Sequence, residues 1–265
     1  MKHLPTKRSV INSSSITKRL SSKFVALSAA LLLLFSPLNS AYGDEAHTWL
    51  SDWEEHDGDE EFTTQCRKHS SDIKQCIFTT QTDTPIAALA NAVRDVSKFT
   101  EWAESVAVSK QVPKLELGEE TVVYTEYTFS GAYDRFAVTR YDTEQFEEEQ
   151  RIRVSFKTIN TPSLNPDPGL IRFPLMAGYW DFTVLENGKT QIKHKSFTLP
   201  GGSIQKTLSY FYNIAYIDAS YETIRNLIAF ANSAPYADSQ WKWKPNAHTD
   251  DNKNVAIANV ADDNG

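Results

Sequence analysis

From Ile204 onward, apolar side chains return every three or four residues: Ile204, Leu208, Phe211, Ile214, Ile217, Tyr221, Ile224 and Ile228. That spacing marks one face of a helix, sustained over about seven turns. It predicts a helix from Ser203 to about Ala231, with Gly201-Gly202 breaking the chain before it and Pro235 following it. A single long stripe must lie against another surface.

The segments upstream supply a sheet. Thr121–Phe129, Asp134–Thr143 and Arg151–Thr161 read as strands, the last with Ile152, Val154 and Phe156 on one side and Arg151, Arg153 and Lys157 on the other. Pro162 to Gly169 holds three prolines and reads as a loop. Ile171–Leu185 is a long strand, bent near Pro174 or Gly178, and Asn187-Gly188 turns it into Lys189–Thr198. Earlier in the chain, Asp44–Glu55 reads as a short helix with Trp49, Leu50 and Trp53 on one face. Phe62–His69 and Ile73–Thr80 form a hairpin turning at Ser70-Ser71-Asp72. Thr84-Pro85 opens a helix that buries Ile86, Leu89, Ala90, Val93 and Val96. Phe99 and Trp102 carry the pattern into a second short segment, and Val106–Leu117 is an irregular edge strand interrupted by Pro113.

Cys66 and Cys76 fall near mirror positions about the hairpin turn, so an oxidising compartment would pair them, with buried free thiols as the alternative. The compartment is suggested by the leader. Met1 to Lys23 carries six basic residues and no acid, and an apolar run follows from Phe24 to Phe35. Ala41-Tyr42-Gly43 offers the small residues a signal peptidase reads, which places cleavage between Gly43 and Asp44. An uncleaved anchor is the alternative, although the run falls short of the ~20 residues a span needs. Without the leader's six, 21 of the 27 basic residues face 34 acidic ones, a net charge of −13. So acidic a chain is poorly suited to nucleic acid or to an anionic membrane surface, and would repel both except through local patches. The acidic run His56–Glu61 lacks the spacing of a calcium loop, and two thiols with only His69 near make an incomplete metal site. No metal or cofactor is expected. Residues 1–43 are thus taken as a signal peptide, 44–232 as one domain, and 233–265 as a polar, disordered tail.

Three stretches resemble the lipid-transfer domain named for steroidogenic acute regulatory protein, the START domain. Asp134-Arg135-Phe136-Ala137-Val138-Thr139-Arg140 is similar to its charged-aromatic strand ending in arginine, with Asp-Arg-Phe here where many members have Arg-Asp-Phe. Gly169-Leu170-Ile171-Arg172 is similar to its Gly-Val-Ile-Arg after a proline-rich loop. Tyr179-Trp180, the strand after Asn187-Gly188 and Pro200-Gly201-Gly202 resemble its last hairpin and the exit into the helix. The resemblance spans roughly Thr48 to Ala231. It implies an α+β helix-grip fold, in which a curved antiparallel sheet wraps around a long C-terminal helix over an interior hydrophobic cavity. It also implies binding or carriage of one lipid or sterol-like molecule, and transient membrane contact follows from carriage. The leader places the protein, read as a monomer, in the periplasm or outside the cell.

Strand parity then nominates the lining. Phe136, Val138 and Arg140 share a face, as do Val122, Tyr124 and Glu126. The resemblance puts Glu126 and Arg140 where an interior ion pair can orient a ligand, and a surface salt bridge is the alternative. Ile152, Val154 and Phe156 point inward on the next strand, then Trp180 and Phe182, then Ile192, His194 and Ser196. Leu208, Phe211 and Ala215 face them from the helix. The loop at Pro162–Gly169 and the Gly201-Gly202 hinge are the expected gate. No nucleophile elbow, metal helix, phosphate loop or dinucleotide fingerprint is present. The chain is therefore read as a binding protein. Two alternatives stay open: a cavity enzyme of a related helix-grip fold, such as an aromatic polyketide cyclase, and an extracytoplasmic chaperone.

Overall fold

One antiparallel sheet carries the fold, and β-branched and aromatic side chains build its strands. The computed structural model describes residues 49–113, 120–129, 133–161, 166, 168–202 and 206–243. The leader, its cleavage point at Gly43 and Asp44, most of the Pro162–Gly169 loop and the end of the tail lie outside these residues. The strands are β1 (Glu54–Glu55), β2 (Thr63–Lys68), β3 (Lys74–Thr82), β4 (Val106–Gln111), β5 (Thr121–Tyr127), β6 (Arg135–Phe146), β7 (Arg151–Thr158), β8 (Ile171–Arg172), β9 (Leu175–Val184) and β10 (Thr190–Leu199). Their order across the sheet is β1-β2-β3-β10-β9-β7-β6-β5-β4, with β8 set parallel against the start of β6. Helix α1 (Ile86–Arg94), a 3₁₀ turn at Val96–Lys98 and α2 (Phe99–Trp102) follow the first hairpin; α3 (Lys206–Ala231) closes the domain.

Several expectations hold. Cys66 and Cys76 stand opposite each other on β2 and β3 and are bonded. A helix does follow Thr84-Pro85, but not with the expected cap: Pro85 takes the cap position outside the first turn, and Thr84 spends its side chain on Thr82 and Asn232. The long strand breaks at Phe173-Pro174, because proline cannot join the ladder.

Others fail for identifiable reasons. Around Trp49 and Trp53 the chain is extended rather than helical. Trp49 bridges to His69, β1 pairs with β2, and the Arg67 guanidinium lies 3.7 Å from the Trp49 ring centroid and 4.7 Å from that of Trp53. Two cation–π contacts and a ladder outweigh a weak helical pattern. The described part of the tail is packed. Tyr236 is buried and donates to Asp95 Oδ2 at 2.6 Å, and Trp241 Nε1 donates to Gln145 Oε1 at 2.9 Å.

Candidate functional site

Cross-strand partners in a ladder point to the same side, so the register defines the two faces of the sheet. One face carries Cys76, Phe78, Ile192, His194, Ser196, Trp180, Val154, Phe156, Tyr141, Thr139 and Val123. Helix α3 lies on it. Phe78 meets Tyr221 at 5.3 Å between ring centroids, and Ile217, Tyr221, Ile224 and Leu227 are buried there. Helices α1 and α2 share the same face, with Trp102 against Trp180 at 5.9 Å and Phe99 against Tyr141 at 5.6 Å.

Within that face His194 is stacked on Trp180 at 3.9 Å and flanked by Phe156 at 6.1 Å and Phe78 at 6.3 Å. Burial lowers its pKa to about 3, outweighing the opposing backbone contact with Tyr179, so the ring is neutral at physiological pH. Its Nδ1 and the Thr139 Oγ1 are buried without a hydrogen-bond partner among the described residues. Towards the start of α3 the gripped face becomes polar. Tyr216 OH donates to the Ser196 carbonyl at 2.8 Å and lies 2.6 Å from Ser196 Oγ; Tyr212 OH donates to the Thr198 carbonyl at 3.3 Å. Burial pushes both phenols well above their ordinary pKa. Arg135, 5 % exposed, donates Nε to the Pro200 carbonyl at 2.7 Å and Nη1 to the Tyr133 carbonyl at 2.6 Å. Desolvation lowers its pKa. This guanidinium ties the start of β6 to the segment just before Gly201-Gly202.

The parity expected for β5 and β6 is reversed. Tyr124, Glu126, Phe136, Val138 and Arg140 lie on the opposite face, where Val122, Tyr124, Phe136 and Val138 form a second small core with Val108, Val112, Ile159 and Leu170. Glu126 is in register with Phe136, and Arg140 with Val122, so the expected interior pair does not form. Glu126 instead accepts from Tyr124 OH at 2.7 Å, and the exposed Arg140 holds Glu120 at 3.5 Å. The buried cation on the gripped side is Arg135. Among the described residues the buried carboxylate is Asp181, on the outer face, held by Arg153 Nε at 2.7 Å. Alternation fails here because both faces are covered: Val122 to Thr125 and Arg135 to Thr139 are buried without a break.

Helix α3 is also rotated from its expected setting near its start. Ser209 and Asn213 are buried, whereas Tyr210, Phe211 and Ile214 are 65 %, 58 % and 43 % exposed. Leu208 is half-buried and Ala215 exposed. Asn213 explains part of this, since it accepts from Lys74 N at 2.9 Å and donates to the Asp72 carbonyl at 3.0 Å, fastening the helix to the β2–β3 turn. Phe156, Trp180, His194 and Ser196 do sit together on the gripped face. Among the described residues no cluster of three or more histidine, cysteine, aspartate or glutamate side chains is placed to hold a metal ion.

A curved antiparallel sheet gripping a C-terminal helix is the helix-grip architecture, and the fold is that of STAR-related lipid transfer domains. The chain is similar to a STAR-related lipid transfer protein from Xanthomonas axonopodis, with a TM-score of 0.59 and 18 % identity over 68 % of this chain and 99 % of that one. It is also similar to human StAR-related lipid transfer protein 5, with a TM-score of 0.60 and 13 % identity over 68 % of this chain and 86 % of that one. No family model matches the chain, and no curated protein matches it.

Proposed function

We propose that this protein binds one lipid or sterol-like molecule between the sheet and α3, and carries it between membranes outside the cytoplasm. The observation that carries this reading is the pair of buried, unpartnered polar atoms, Thr139 Oγ1 and His194 Nδ1, on the gripped face of a lipid-transfer fold. Buried polar groups without partners are rare in native proteins, and a ligand hydroxyl or a bridging water would satisfy them. Phe156 and Trp180 supply apolar contact beside them. The exposed Tyr210, Phe211 and Ile214 on α3 support transient contact with a bilayer surface. The Cys66–Cys76 bond supports an oxidising compartment, as does the basic-then-apolar leader. No described helix is long and apolar enough to cross a membrane.

Native mass spectrometry of the protein purified without detergent tests this reading, with its organic extract analysed alongside. A stoichiometric adduct that extracts as one lipid class is expected. A protein that stays bare after incubation with total membrane lipid refutes it.

A further inference from the structure

At the β5–β7 end of the gripped face, away from the Gly201-Gly202 hinge, the structure holds a cleft of about 600 Å³. Its floor is Thr121, Tyr141, Thr143, Gln145 and Val154, all on the face that α3 grips. Asn91, Val93, Arg94 and Val96 wall one side. The tail segment Gln240-Trp241-Lys242 closes the other. The lining is amphipathic, and its charge is one-sided. Arg94 and Lys242 contribute two cations and, among the described residues, no carboxylate lines the cleft, although acids outnumber bases 34 to 27 in the chain. Inward, the Tyr141 ring lies 5.8 Å from Phe156, which in turn flanks His194. The cleft therefore ends on the aromatic cluster that packs around His194.

The tail strap is fastened unevenly. Its root is firm: Tyr236 is buried and bonded to Asp95. Beyond the root it rests on the Trp241–Gln145 hydrogen bond, on Arg94 stacked 5.4 Å from the Trp241 ring, and on packing of Trp241 and Trp243 against the core. Ser239 Oγ, between root and indole, is buried without a hydrogen-bond partner among the described residues. Arg94 thus holds the strap by a cation–π contact that an anion at the cleft would compete for.

We infer that this cleft is the port and head-group seat for an anionic amphiphile, and that the strap carrying Trp241 is its gate. A carboxylate or phosphate head sits between Arg94 and Lys242, and the chain runs past Val93, Val96 and Val154 toward Tyr141. Anion binding draws Arg94 from the indole and loosens the strap. This inference rests on the lipid-binding reading above.

The test uses protein produced from the full chain and two matched probe pairs: oleate against oleyl alcohol, and dioleoyl phosphatidate against dioleoylglycerol. Equilibrium binding should favour the charged member of one pair by about tenfold, a difference of about 1.4 kcal/mol. The preferred pair distinguishes a carboxylate from a phosphate. Arg94→Gln combined with Lys242→Gln should remove that preference, so that the charged and neutral members of the pair bind alike. In stopped-flow mixing, Trp241→Ala should speed both uptake and release. Trp241→Phe, which keeps an aromatic plug without the N–H, should fall between and stands in if the alanine variant fails to fold. Equal affinity within both pairs, or a preference that survives the double substitution, overturns the head-group seat. Wild-type rates in both Trp241 variants overturn the gate. Failure to bind either pair or any lipid from a total membrane extract refutes the lipid-binding reading itself, whereas capture of extract lipid with both pairs treated alike overturns only the seat.

Discussion

Acid should destabilise this protein through one side chain more than any other described histidine. His194 has a pKa of about 3 in the folded chain and about 6.5 when unfolded. Between those values the unfolded chain takes up a proton that the folded chain refuses. Stability is therefore fully present above pH 6.5 and is lost as pH falls toward 3. The slope approaches about 1.4 kcal/mol per pH unit, and the whole interval amounts to about 5 kcal/mol, comparable to the net stability of a small domain. Replacing His194 by phenylalanine keeps a ring on Trp180 and removes the titration. It also removes a buried nitrogen that has no partner, so the variant should be at least as stable as wild type at pH 7.5. Urea unfolding of both proteins from about pH 8.5 to about pH 4.5 isolates the effect, since carboxylate contributions cancel in the difference. That difference should be flat above about pH 7.5 and move in the variant's favour by about 1.4 kcal/mol per unit below pH 6. A difference independent of pH, or a His194 ring that titrates near 6.5 by NMR, would refute the reasoning.

Other perturbations test other parts of the fold. Replacing both Cys66 and Cys76 by serine opens a loop with a sequence separation of 10 residues and should cost about 2–3 kcal/mol in denaturant unfolding. Gly178→Ala would drive a Cβ into the Lys195 carbonyl oxygen and place it 2.7 Å from Phe156 Cζ. It should destabilise by about 1–3 kcal/mol, read as a fall of several degrees in Tm. Arg135→Met strips the Pro200 and Tyr133 carbonyls of their donor, should cost about 1.5–3 kcal/mol, and should speed amide exchange at Gly201 and Gly202. Ile224→Ala, at a fully buried position of α3, should cost about 2–5 kcal/mol.

The sequence was legible where one face of an element met water. Strand β7 and the first part of β10 alternate cleanly, and parity there and on β9 placed Phe156, Trp180, His194 and Ser196 on the gripped face. It failed on β5 and β6, where Ile159 and Leu170 cover the outer side and apolar residues occupy both parities. The small and polar positions of β6, Arg135, Ala137 and Thr139, proved to be the inward ones. On α3 the apolar stripe was real from Ile217 onward, but near the start Tyr212, Asn213 and Tyr216 turn inward because strand carbonyls and the hairpin turn give them partners. The docked tail depends on isolated aromatic anchors, Tyr236 and Trp241, that carry no periodicity to detect.

Strand β3 has one partner close behind it in the chain, β2, and another, β10, near the chain's far end. During synthesis the first hairpin therefore waits with one side of β3 unsatisfied until almost everything else has been made. A waiting edge invites pairing with the wrong chain or in the wrong register. The Cys66–Cys76 bond sits directly across that hairpin. Once formed, it fixes the register of β2 and β3, so the edge that β10 must join cannot slip. Its value to the protein lies as much in the order of assembly as in the finished fold.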